Sequence, residues 1–187
     1  NNVFLGSNTG EGSSYNVSTT LSNNYISDKL DIRSSITYSY GDSDGLFDAT
    51  SSQNSSQWNN LETVNGSNRP TLSTSDFSPG HRILANSTFE FKWSETIKTR
   101  IGVFYEGAEG APFSYVYNDF GDLLSDTGSN SALIYVPRNE AEAQLVDKND
   151  LTAEQQYQAL NAYIEGDDYL RSRRGQFAER NADRSDW

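Results

Sequence analysis

Four segments of this chain alternate apolar and polar residues with a period of two. They span residues 14–22, 30–40, 82–93 and 97–105. Because successive side chains of a β-strand point to opposite faces, each segment predicts a strand with one apolar and one polar face. The alternation therefore predicts an all-β chain built around about four antiparallel strands.

The predicted strands are longer than most strands of globular domains. Globular strands usually have about 5–6 residues, whereas strands that cross a membrane need about 9–11. Aromatic residues stand at the ends of the apolar faces, where the girdles of membrane barrels lie: Tyr38, Tyr40, Trp93 and Tyr105. The opposite faces carry charged residues, as a water-filled lumen permits. These features favour a membrane β-barrel over a soluble sandwich, which would bury the apolar faces against a second sheet.

The connections between the predicted strands alternate in length. Residues 23–29 and 94–96 are short, whereas residues 41–79 and 106–186 are long. Outer-membrane barrels have short periplasmic turns and long extracellular loops. We therefore expect a fragment of a transmembrane antiparallel up-and-down β-barrel, with no plug domain and with two extracellular loops. Since the chain shows neither an initiator Met nor a signal peptide, we expect it to belong to a longer polypeptide.

The second long connection contains the helical signals of the chain. Thr152 and Gln155 form a capping-box pattern ahead of a helix over 153–165, and Gly166 suits the C′ position. A second short helix is predicted over 167–174, ending before Gly175. We expect these helices to cover the outer rim of the barrel.

Composition excludes several functions. The net charge is −12, which argues against a nucleic-acid partner, and zero Cys excludes thiolate nucleophiles and Cys-type metal sites. No pair among the acidic residues stands out as a glycosidase pair, so we expect no enzyme, no catalytic residue, no cofactor and no metal. The single histidine, His81, is expected to be a structural hydrogen-bonding residue.

Acidic residues in the first long connection leave one metal hypothesis open. Asp42, Asp44 and Asp48 surround Gly45, a composition that suits Ca²⁺. The spacing lacks the twelve-residue loop and its terminal Glu, so a solvated acidic turn is the simpler interpretation.

Ligand contacts are expected from aromatic residues of the long connections. The candidates are Trp58, Tyr115 and Tyr117. Trp58 either stacks on a ligand or anchors a small core of its own loop, and we favour the second role. A locally basic stretch is expected to pair with acidic loop residues, with anionic lipopolysaccharide as the alternative partner: Arg171, Arg173, Arg174, Arg180 and Arg184.

Five segments of the chain carry a resemblance to one family. They are residues 77–83, 105–115, 132–137, 163–165 and 174–181. In this order they resemble the C-terminal barrel region of Bacteroidota TonB-dependent outer-membrane transporters, the Oar-like group. The resemblance implies energy-coupled uptake of an unidentified ligand across the outer membrane of a Gram-negative bacterium, with the loops extracellular.

The partners implied by that resemblance are the remainder of the same barrel, its plug domain, outer-membrane lipid, the TonB–ExbB–ExbD system and a surface lipoprotein. An alternative is an extracellular all-β binding or adhesion module of a bacterial surface protein. The two hypotheses differ over the apolar face of the sheet, which contacts lipid in the first and a second sheet in the other.

Overall fold

The computed structural model describes residues 7, 9–48, 58, 60–117 and 131–184. The chain divides into two compact units, which we call the sheet unit (mainly Gly12–Asp44 and Phe77–Ala111) and the connection unit (mainly Gly45–Asp76 and Pro112–Asp183). Most of the regular structure is antiparallel β-sheet, with few helices. Within the described residues, no helix combines the length and the apolar character that crossing a membrane requires.

The strands, in chain order, are β1 (Ser13–Ile26), β2 (Leu30–Gly45), β3 (Ser73–Thr74), β4 (Gly80–Lys92), β5 (Lys98–Ala108), β6 (Pro112–Phe113), β7 (Tyr135–Val136), β8 (Gln176–Phe177) and β9 (Asp183–Arg184). The helices are α1 (Glu140–Ala143), α2 (Ala153–Glu165) and α3 (Asp168–Ser172). The four long strands pair antiparallel in the order β1-β2-β4-β5, so the predicted strands are confirmed as neighbours in one sheet.

Three of the long strands run past their predicted ends, by three residues in β5, which continues to Ala108, and by more in β1 and β2. β1 continues to Ile26 and β2 to Gly45, because residues 13–26 pair with residues 31–44 through backbone hydrogen bonds. These bonds form with polar and apolar side chains alike. The first connection is therefore a tight turn in which Ser27 N donates to Leu30 O (3.0 Å). The second tight turn closes through Trp93 N and Ile97 O (3.0 Å).

The connection unit has a hydrophobic core of its own, although its segments were predicted as loops. The core consists of Val136, Ile164 and Leu170, each at most 1% exposed. Tyr115 and Tyr169 pack against it. β7 and β8 pair antiparallel beside it. Helices α2 and α3 thus bury apolar residues inside this unit.

The helix ends agree with the sequence in part. Both hydrogen bonds of the capping box between Thr152 and Gln155 are present, which confirms the predicted start of α2. Gly166 has a φ of −79° and is right-handed, so its predicted left-handed C′ role is wrong. Gly175 has a φ of +78°, a value that favours glycine. Helix α1 was not predicted, although its cap Asn139 accepts from Glu142 N (3.1 Å).

Buried polar side chains join the two long connections within this unit. Arg180 is 3% exposed and donates to Gly45 O (2.7 Å) and Ser73 Oγ (3.1 Å). Asn181 donates to Thr74 O (3.1 Å) and Asp76 Oδ1 (2.5 Å). These bonds give the buried Arg180 and Asn181 side chains hydrogen-bond partners.

Candidate functional site

One face of the four-stranded sheet is apolar along most of its length. The register aligns residues of the same face in rows that cross the strands, such as Leu21, Ile36, Ala85 and Tyr105. A second row consists of Tyr25, Ile32, Phe89 and Ile101. The row between them is smaller and more polar, and in it Ser34 and Ser87 share a hydrogen bond of 2.7 Å.

The apolar face is uncovered. Leu21 is 71% exposed, Ile36 is 48% exposed and Val103 is 56% exposed. Ile32, Phe89 and Phe91 are partly exposed. The burial of these side chains that a soluble sandwich would require is therefore not found in the described residues.

Aromatic side chains lie at both ends of this face. Towards the long connections, Tyr40 and His81 lie side by side, with ring centroids 4.5 Å apart, and Tyr15 lies 5.9 Å from Tyr40. Towards the tight turns, Phe91 and Trp93 stack with centroids 6.0 Å apart. We call these two groups the aromatic belts, and we include Tyr38 and Tyr105 in the first and Tyr25 in the second, since they lie on the same face.

The belts run obliquely across the rows. At the end near the long connections, Tyr105 of β5 lies in the same row as Ile36 of β2. That row is two residues along β2 from Tyr38, in the direction of the tight turns. At the other end, Tyr25 aligns with Phe89, whereas Trp93 follows four residues later. Both belts therefore shift in the same direction from β1 to β5, as expected for tilted strands between two parallel planes.

The distance between the belts is set most clearly by β1. Tyr15 and Tyr25 lie on the same face of this strand, ten residues apart. At about 3.3 Å per residue they lie about 33 Å apart along the strand, and the tilt of about 40° that is typical of barrel strands would make this about 25 Å along a membrane normal. That is the height of the apolar band of outer-membrane barrels, about 25 Å. Neither tyrosine was predicted as a belt residue, although their spacing on one face was visible in the sequence.

The opposite face of the sheet carries charged pairs. Arg82 Nη2 lies 2.5 Å from Glu106 Oε1 near the long connections. Near the tight turns, Lys92 Nζ lies 2.6 Å from Asp31 Oδ1. Arg100 Nη2 lies 2.5 Å from Glu90 Oε2, and Lys98 Nζ lies 3.7 Å from Glu90 Oε1. The sheet therefore separates an uncovered apolar face from a face of ion pairs.

His81 has the hydrogen-bonding role expected from the sequence. Its Nδ1 lies 2.6 Å from Tyr38 Oη, and its backbone N donates to Glu109 Oε2 (2.9 Å). These contacts fix the end of β4 within the aromatic belt.

The three predicted ligand contacts lie in the connection unit. Tyr115 Oη donates to Asp167 and to Asp183 Oδ2 (3.0 Å), and burial and these carboxylates hold its pKa above the ordinary tyrosine range. Tyr117 Oη accepts from Tyr135 N (3.2 Å). Trp58 is partly buried, and its carbonyl accepts from Leu61 N (3.4 Å). These contacts fit structural roles, and ligand binding by the three residues stays a prediction.

The acidic residues considered for Ca²⁺ are engaged separately. Asp42 Oδ1 accepts from Ser78 Oγ (2.8 Å) in the sheet unit. Asp48 Oδ1 accepts from Ser75 Oγ (2.6 Å) in the connection unit. Across the described ranges, no three His, Cys, Asp or Glu side chains cluster as a metal site would require.

Most arginines of the basic stretch have acidic partners, as expected. Arg171 pairs with Asp168, Arg173 Nη1 lies 3.0 Å from Glu179 Oε1, and Arg174 Nη2 lies 2.6 Å from Glu165 Oε1. In the sheet unit, Arg184 Nε lies 4.0 Å from Glu109 Oε2. Arg180 differs, because its hydrogen bonds described above go to a backbone carbonyl and a hydroxyl.

Comparison with known proteins finds no family, no curated protein and no solved structure that matches this chain. The resemblance noted in the sequence therefore stays a prediction.

Proposed function

We propose that the sheet unit is part of the wall of an outer-membrane β-barrel, in a TonB-dependent transporter that imports a ligand into a Gram-negative cell. The observation that carries this proposal is the exposed apolar face with aromatic belts at both of its ends. Monomeric soluble proteins rarely expose contiguous apolar patches larger than a few hundred Å². A bilayer covers such a face without a second sheet.

The distribution of charge supports the same proposal. The ion pairs lie on the face opposite the aromatic belts, where the lumen of a barrel holds water. A charge on the lipid side would cost about 2–4 kcal/mol at the middle of the bilayer. Between the aromatic belts, the charged side chains thus lie on the side of the sheet that a barrel wall turns to water.

The edges of the sheet indicate further strands. Within the part of the chain that the structure describes, β1 and β5 each have one long strand as a neighbour. Because an open edge leaves backbone donors and acceptors unsatisfied in lipid, the wall has to continue on both sides. We infer that other segments of the complete protein supply those strands and a plug domain.

The transport role rests on the resemblance stated above. All long connections start or end at the same end of the sheet, opposite the two tight turns. In an outer-membrane barrel that end faces outwards, where loops meet ligands and surface lipoproteins. Energy for uptake would come from the TonB–ExbB–ExbD system.

Membrane fractionation of the complete protein tests the proposal. A barrel stays in the outer-membrane fraction after an alkaline carbonate wash, and it migrates differently on gels before and after boiling. Release by carbonate would instead support the adhesion module. For transport, a strain without this protein and a strain without TonB should both fail to grow on the imported compound, whereas growth of the TonB strain would contradict energy coupling.

A further inference from the structure

The polar face of the sheet carries a surplus of positive charge in an acidic chain. Along the four long strands this face has five basic and three acidic side chains, a net charge of +2, whereas the whole chain has −12. Arg82 and Glu106 neutralise each other near the long connections. The surplus therefore lies near the tight turns, in the group Asp31, Arg33, Glu90, Lys92, Lys98 and Arg100.

Arg33 is the unpaired cation of that group. The carboxylate of Asp31 is held by Lys92, and the carboxylate of Glu90 is held by Arg100 and Lys98. Among the described residues, Arg33 makes no hydrogen bond and no close ion pair, although its charge acts on the Asp31 carboxylate two residues away, and its side chain is exposed. Its five N–H donors thus face solvent together with those donors of Arg100 that Glu90 does not use.

A cavity of about 250 Å³ lies beside Arg33. Its lining consists of Asp31, Arg33, Thr88, Glu90 and Arg100. Thr88 pairs with Gly102 across the strands, and a β-carbon added to Gly102 would meet no atom within 4 Å. Gly102 therefore leaves the space beside Thr88 open, and the hydroxyl of Thr88 adds a hydrogen-bond donor to the cavity.

We propose that this cavity binds an oxyanion group, either a carboxylate or a phosphate, of the ligand that passes along the polar face. A guanidinium presents paired N–H donors that match the two oxygens of such a group. Asp31 and Glu90 balance the charges of Arg33 and Arg100 within the lining. The attraction therefore comes from the directed N–H donors of Arg33 and from Lys92 and Lys98 beside the cavity, which keeps the binding moderate and permits release. The inference rests on the proposed transport function and names an anionic class of ligand.

Binding of citrate and of inorganic phosphate to the complete protein in detergent micelles tests this site. The variants are R33Q and, as a matched control, R82Q, which removes the same charge from the same face near its other end. We expect R33Q to raise the Kd of the bound anion about tenfold, and R82Q to change it less than about twofold. A third variant, G102L, fills the cavity without changing charge and should also weaken binding about tenfold.

Each result decides the proposal. Tighter binding of citrate identifies a carboxylate ligand, and tighter binding of phosphate identifies a phosphorylated one. Equal losses in R33Q and R82Q would mean that the overall field attracts anions, and an unaffected G102L would mean that the cavity is not used. Either result overturns the site, as does the absence of binding of both probes up to on the order of 10 mM. Release of the protein by carbonate would refute the proposed barrel but not the anion site, because anion binding is measured in detergent micelles without a membrane.

Discussion

A single arginine placed on β1 should cost stability according to its depth in the bilayer. Leu21 lies one residue from the midpoint between Tyr15 and Tyr25. At a strand tilt of about 40°, Leu21 is therefore about 2.5 Å from the middle of the apolar band. Val17 lies three residues from that midpoint, or about 7.5 Å from the middle. Ser22 lies on the polar face.

The expected costs follow from these depths. Arginine on the lipid face costs about 2–4 kcal/mol at the midplane and about 0–1 kcal/mol near the interfaces. We therefore expect L21R to destabilise the protein by about 2–4 kcal/mol, V17R by about 1 kcal/mol, and S22R by less than about 0.5 kcal/mol.

Equilibrium urea unfolding of the complete protein, folded in phospholipid vesicles and followed by tryptophan fluorescence, measures these free energies. If the apolar face met water instead, Leu21 (71% exposed) and Val17 (62% exposed) would be ordinary surface positions. All three variants would then lie within about 0.5 kcal/mol of the parent. That result, or a larger cost for S22R than for L21R, would refute the reasoning.

Two predictions concern the connection unit. G175A should destabilise this unit by about 1–2 kcal/mol, because Gly175 has a positive φ and an added β-carbon would overlap the guanidinium of Arg138. The control G166A should be neutral or slightly stabilising, because Gly166 has a right-handed φ. Thermal unfolding measures both, and equal effects would contradict the assignment. Burial first, and then the charge of Asp76, raise the pKa of Glu62. The protein therefore loses stability as the pH rises from the ordinary glutamate pKa through the raised pKa of Glu62. E62Q should consequently raise the melting temperature more at pH 8 than at pH 4. A larger increase at pH 4 would contradict this prediction.

The strands could be predicted because their signal is local. Alternation over nine or more residues identifies a strand and its two faces without any knowledge of its neighbours. The register was not predicted, although the observed pairing of Leu21 with Ile36 and of Ile36 with Ala85 keeps each apolar set on one side. What alternation did not give was the length of β1 and β2, because polar residues extend a ladder as well as apolar ones do.

The core of the connection unit could not be predicted, because its contacts join residues far apart in the chain. Arg180 binds the carbonyl of Gly45, and Tyr115 contacts Asp167 and Asp183. Each of these residues alone resembles an ordinary loop residue. The hydrogen bonds of the Tyr115 hydroxyl to two carboxylates of the same unit were therefore not foreseen, and its ligand-binding role stays a prediction.

Aromatic residues at the ends of the apolar face were predicted at Tyr38, Tyr40, Trp93 and Tyr105, but the oblique course of the belts across the strands was not. Tyr105 seemed to mark an end of β5 like the others, and only the register reveals its offset from Tyr38. The unpaired Arg33 was also missed as a site residue. Its charge was visible in the sequence, but the pairing of its neighbours depends on strand order.

The most direct test of the lipid-facing sheet is accessibility along β2. The chain has no cysteine, so a spin label can be attached to a single introduced thiol at Ser35, Ile36, Thr37 or Tyr38 in the complete protein in vesicles. The account predicts that labels at Ile36 and Tyr38 collide with oxygen dissolved in the bilayer and are protected from a water-soluble nickel reagent, whereas labels at Ser35 and Thr37 behave in the opposite way. Equal nickel accessibility at all four positions would contradict the account.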